Sequence, residues 1–101
     1  MTNEEKLLNL LGLAQRAGRL ASGGEAAEGC IRSGKAALVL LASDASEGTR
    51  KRYEDMARFR KVELCTVLTK EKLGASIGKA ERSAVAVADA GFAKAMKKCL
   101  V

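Results

Sequence analysis

Apolar residues recur near the start of the chain at Leu7, Leu8, Leu11 and Ala14, the three- and four-residue spacing of one helical face. Thr2 and Glu5 stand just ahead of that stripe as an S/T-x-x-E capping box, so a helix is expected to open at Thr2 and to stop at Gly18. "RLASGG" then reads as a short extended piece entering a turn. A second helix is expected over about residues 24–33, with Ala27, Cys30 and Ile31 inward and Gly34 closing it. "AALVLLA", residues 36–42, has no polar alternation and reads as a strand covered on both faces. Ser46 or Thr49 caps a charge-rich third helix, "RKRYEDMARFRK", that turns Tyr53, Met56 and Ala57 inward. "VELCTVL" is the next strand, Thr69 opens the short helix "KEKLGASIG", "GKAER" is a loop and "SAVAVAD" a second fully covered strand. Asp89 caps a last helix whose basic end suits its negative pole. Helix and strand alternate throughout, which predicts the α/β class, a three-layer α/β/α sandwich with a four-stranded, mostly buried mixed sheet.

Composition narrows the chemistry. The 101 residues are 48% hydrophobic and 30% charged, with no proline, repeat or linker, as expected of one folded domain over residues 1–101. The longest apolar run is far short of a bilayer span, and the acidic start "MTNEEK" fits neither a signal nor a transit peptide. The expectation is a cytoplasmic protein with no membrane partner. There is no histidine, and Cys30, Cys65 and Cys99 lie too far apart for a zinc motif. Ser-His and Cys-His nucleophiles are excluded within the chain. With no cofactor fingerprint either, neither metal, cofactor nor small-molecule substrate is expected, and the protein is expected not to be an enzyme. Free cysteines in odd number point to buried thiols in a reducing compartment.

The charge of +6 is unevenly placed. Residues 1–48 carry five Lys/Arg against six Asp/Glu, whereas residues 49–101 carry thirteen against six. Such asymmetry suggests an anionic partner, nucleic acid first. Tyr53, Phe59 and Phe92 are the only aromatics, too few for an extended base-stacking platform. The basic face from Arg50 to Lys61 reads as general electrostatic surface.

"GCIRSGKA", residues 29–36, spells G-x-x-x-x-G-K, and "LVLLASD" ends its apolar run in Asp44. A phosphate-binding loop needs a strand before it, a helix after it and a Ser/Thr after the Lys. Here the motif ends a helix and precedes a strand, and Ala36 stands at the magnesium position. Gly29 lies inside the helix, where close packing would explain it, and Gly34 is a helix stop. Lys35 and Asp44 fall at opposite ends of the strand between them. Nucleotide hydrolysis is set aside on these grounds.

The same residues fit a different pattern. "SGGEAAEGCIRSGKAALVLLASDAS" followed by a basic helix, and "LGASIGKAERSAVAVAD" further on, resemble the kink-turn RNA-binding family of ribosomal proteins, the L7Ae superfamily. "GE" followed by "IRSGKA" and "IGKAER" is most similar to its stand-alone bacterial branch, the YlxQ-like proteins. The resemblance implies a non-catalytic RNA-binding protein, in a ribonucleoprotein near the ribosome, that takes RNA bent sharply at tandem sheared G·A pairs; nothing in the sequence demands more than a monomer.

By that resemblance Ser22, Gly23 and Gly24 bring the backbone close to RNA, and helix-start amides donate to phosphate. Glu25, an acceptor-only carboxylate, takes hydrogen bonds from guanine edges. Arg32, on the same helical face as Glu25, flanks the phosphate backbone together with Lys35. Ile77, Gly78, Lys79, Ala80 and Arg82 form a second contact loop, with Ile77 against a base and Lys79 and Arg82 on phosphates. Three positions depart from the archaeal and eukaryotic pattern: Gly24 replaces an Asn, Glu28 a Lys, and Glu81 a basic residue. Each departure should weaken binding. The competing reading is a protein-interaction module on the same fold that does not bind RNA specifically.

Overall fold

The computed structural model describes residues 1–100. Five helices and four strands follow in the order α1 (Asn3–Arg16), β1 (Leu20–Ser22), α2 (Gly24–Arg32), β2 (Leu38–Leu41), α3 (Glu47–Arg60), β3 (Leu64–Thr66), α4 (Lys70–Ala75), β4 (Ala84–Val87) and α5 (Ala90–Lys98). Local chemistry starts four of the helices. The Thr2 hydroxyl accepts from the Glu5 amide while the Glu5 carboxylate accepts from the Thr2 amide, closing the capping box. Ser46, Thr69 and Asp89 cap α3, α4 and α5 in the same way, each accepting an amide three residues on. At its far end α1 is stopped by Gly18, at φ 71°, a conformation that favours glycine.

The sheet runs β1-β4-β2-β3. β4 is antiparallel to both β1 and β2, and β2 is parallel to β3, so the sheet is mixed. Every residue of β2 and β4 is buried, as their unbroken apolar runs require of central strands covered on both sides. β1 and β3 are edges and are only half-buried. α2 lies on β1 and β4 and packs against α3, while α1 packs against α5, giving the three layers. Leu7, Leu11 and Ala14 of α1 and Ala27, Cys30 and Ile31 of α2 enter the core. Among the described residues no helix is long and apolar enough to cross a membrane.

Some expectations are corrected. The "VELCTVL" strand is shorter than its apolar run, because an edge strand keeps only the residues that find ladder partners on β2. Only Cys30 is buried; Cys65 and Cys99 are half-exposed, and all three are free thiols. Burial pushes the Cys30 and Cys65 thiols up, with the charge of Glu63 adding to the effect at Cys65. Gly29 is exposed, and a Cβ there would meet nothing, so close packing does not account for it. Asp44 accepts from the Lys70 amide at 2.8 Å and braces the start of α4, which gives the end of "LVLLASD" a purely structural role.

Candidate nucleic-acid interface

β1 and β2 end, and β4 begins, at the same edge of the sheet, since Ser22 pairs with Val85 and Leu41 with Ala84. Three segments converge there: the start of α2, the first turns of α3, and the chain entering β4. They line a cleft of about 360 Å³ whose walls include Gly23, Gly24, Glu28, Arg52, Tyr53 and Arg82.

The start of α2 differs from the other four helix starts. Gly23, at φ 85° and ψ 154°, is the N-cap and provides no side-chain acceptor. That backbone region belongs essentially to glycine. The first-turn amides are therefore left uncapped at the positive end of the helix, ready for an anion. A Cβ at Gly24 would meet nothing within 4 Å, so the missing side chain bares backbone on an open surface. Glu25 is exposed in the same turn and makes no ion pair among the described residues.

One turn on, Glu28 is held very differently. Its side chain is 12% exposed and accepts from Arg32 at 3.1 Å and from Arg52, across on α3, at 2.9 Å. The carboxylate that stands where the family pattern has a Lys is thus neutralised from two sides. It also pins Arg52 at the cleft. Tyr53 beside it is buried, and that burial, then the charge of Glu28, pushes its phenol up while Arg52 opposes. It stays a hydroxyl at neutral pH and can donate.

The opposite wall is built by close packing. The Lys79 amide donates to the Gly74 carbonyl at 3.0 Å, and the Arg82 amide to the Lys70 carbonyl at 3.1 Å, tying the loop to α4. A Cβ at Gly74 would lie 1.9 Å from the Ala80 carbonyl oxygen, so only glycine allows this approach. Gly78, at φ 71°, Lys79 and Ala80 are left exposed at the tip. The Arg82 guanidinium curls back, its Nη1 donating to the carbonyls of Glu81 at 3.0 Å and Ala80 at 3.4 Å. Its Nε is buried with no hydrogen-bond partner.

The structure therefore brings Gly23, Gly24 and Arg82 to one cleft, with Ser22 half-buried at the end of β1 and Glu25 on the adjoining surface. Arg32 faces a neighbouring cleft between α2 and α3. Lys35 is at the other end of α2, roughly 15 Å away at ~1.5 Å per residue. Ile77 is 6% exposed and belongs to the core, lining a hollow on the α1 side with Leu8 and Gly12. It has no free face for a base, and the outward residues of its loop begin at Gly78. No motif in the sequence marks Arg52 or Tyr53 as site residues; the Glu28–Arg32 spacing of four is the one local signal that Glu28 is engaged. Among the described residues no cluster of three or more His, Cys, Asp or Glu could hold a metal ion.

Residues 5–97 match the Ribosomal protein L7Ae/L30e/S12e/Gadd45 family. The chain belongs to that family. It falls in the YlxQ-like branch, being 38% identical over 98 residues to the RNA-binding protein YlxQ of Enterococcus faecium, across 97% of this chain and 94% of that protein. To the RNA-binding protein YlxQ of Bacillus subtilis (strain 168) it is 46% identical over 84 residues, or 83% of this chain and 84% of that one. A solved structure of a protein of unknown function from Bacillus halodurans C superposes with a TM-score of 0.89 at 37% identity, covering 94% of this chain and 96% of that one. The Giardia lamblia 15.5kD RNA binding protein shares the fold, with a TM-score of 0.78 at 20% identity over 97% of this chain and 88% of its own.

Proposed function

We propose that residues 1–101 act as a monomeric, non-catalytic, cytoplasmic RNA-binding domain that recognises sharply kinked RNA of the ribosomal or translational machinery. The observation that carries this reading is the uncapped, glycine-built start of α2 facing the Arg82 loop across one cleft. Family membership supports RNA as the ligand. A regular A-form major groove is too narrow for side chains, so a helix start of this kind needs RNA that a bend has opened. In the opened groove Glu25 accepts from the guanine edges that sheared pairing leaves free. The first-turn amides and Arg52 take phosphates on one side of the kink, and Lys79 and Arg82 take them on the other. Tyr53 supplies a neutral donor between them.

The test is a titration against a kinked RNA and against the same RNA with its sheared G·A pairs converted to Watson–Crick pairs, at two salt concentrations. Preference for the kinked form at both salts is expected. Equal, salt-sensitive binding to the two would reject shape recognition and turn the search to protein partners on the same fold.

A further inference from the structure

Phe59 is 73% exposed and its ring sits among arginines on the α2–α3 surface. It lies on α3 beside a cleft of about 400 Å³, lined by Arg32, Arg52, Met56 and Arg60. The Arg60 guanidinium stands over the ring, 5.2 Å from its centroid. Asp55 brings a carboxylate to the lining, but Arg58 engages it at 3.5 Å. A single exposed ring is ordinary on a protein surface; this one is set apart by the arginines that line the cleft beside it.

We infer that this α2–α3 cleft is a second RNA contact, in which Phe59 stacks an unpaired base of a single strand flanking the kinked element. The inference rests on the proposed RNA-binding reading. Three observations favour a nucleic-acid strand as the occupant. Arg52 lines both this cleft and the one at the start of α2, so the two surfaces are continuous. Glu28 clamps Arg32 and Arg52 together, fixing two cations along the path from one to the other. Seven residues separate Arg52 from Phe59, about two helical turns or ~10 Å along α3, so phosphate and base contacts can alternate on one face. A base meets a ring already paired with Arg60, and stacking with an adjacent cation is how sequence-tolerant single-strand binding is built. Three aromatics make no extended platform, yet one well-placed ring suffices to hold one base.

The chain has no tryptophan, so Phe59→Trp installs a single reporter at the site while keeping an aromatic face. Wild type, Phe59→Ala and Phe59→Trp are titrated with a blunt kinked RNA, with the same RNA carrying a short single-stranded extension, and with polyglutamate. The extension should raise wild-type affinity by about fivefold or more, and Phe59→Ala should lose that gain without losing affinity for blunt RNA. Trp emission should fall with the extended RNA and hold steady with the blunt one. Equal wild-type affinity for the two RNAs, a gain that survives Phe59→Ala, or quenching by polyglutamate as deep as by RNA would each overturn the inference. If the extension effect holds while blunt kinked RNA binds no better than its Watson–Crick control, the kinked-RNA reading fails and the Phe59 surface stands.

Discussion

At the start of α2 the backbone amides have no side-chain cap, and Glu25 forms no ion pair among the described residues. Across the cleft, the amides of Lys79 and Arg82 are committed to carbonyls of α4, and the Ala80 carbonyl presses on Gly74. One wall keeps its polar groups free; the other spends them on holding its own shape. The difference suggests a division of labour. In the proposed reading the α2 start supplies the specific hydrogen bonds to RNA, and the loop of residues 78–82 sets the width of the cleft. Preorganisation of the second wall spares the ordering cost that a loose loop would add to binding.

Gly74→Ala is the sharpest way to break that contrast. The new methyl cannot coexist with the Ala80 carbonyl, so the loop must lift, with a stability loss of about 1–3 kcal/mol or more. Thermal unfolding followed by circular dichroism should show a fall of about 4–8 °C per kcal/mol lost. An unchanged midpoint would mean that the loop is not held where Gly74 allows.

Glu25→Ala should leave the midpoint alone and weaken kinked RNA by about 1–3 kcal/mol, or roughly five- to 150-fold. Plain duplex should lose far less. Equal losses on both RNAs would demote Glu25 from a base contact to a general charge.

Gly23→Ala probes the α2 start from the backbone side. Its φ of 85° with ψ 154° should make the methyl cost about 1–3 kcal/mol of stability, read in urea midpoints. Gly24→Ala, placed in open space, should stay within about 0.5 kcal/mol, so any binding defect it shows reports close approach of RNA. Similar destabilisation by both would dissolve the distinction between the two glycines.

The smallest effect belongs to Lys79→Ala. The side chain is exposed, and its removal should lower the slope of log affinity against log salt by about one unit or less, with stability intact. A slope that does not move would take Lys79 off the phosphate backbone.

What could be read from the sequence was what is local. Thr2, Ser46, Thr69 and Asp89 cap their helices because capping is decided within four residues, and β2 and β4 announce burial by lacking alternation. The α2 start was legible through its glycines and Glu25. The rest depends on contacts between distant segments. Glu28 and Arg52 are 24 positions apart, and only the packing of α2 on α3 introduces them. Ile77 follows a six-residue helix, too short for periodicity to say whether it turns toward α1 or toward the cleft. The curl of Arg82 onto its own loop likewise follows from the tight turn that Gly74 permits, and no spacing encodes it.

The strand order carries a consequence for how the molecule comes into being. β4, the last strand made, is inserted between β1 and β2, and its Val87 pairs with Leu20, far back in the chain. On a translating ribosome residues 1–83 therefore emerge with a gap at the centre of the sheet. Until residues 84–87 leave the exit tunnel, Leu38–Leu41 has only β3 for a partner and β1 has none. Closing pairs so remote in sequence is slow compared with making helices, and it exposes an apolar strand while it waits. The sheet is complete only once β4 is in place, and the cleft at its edge, which needs both the α2 start and the chain entering β4, requires the same closure.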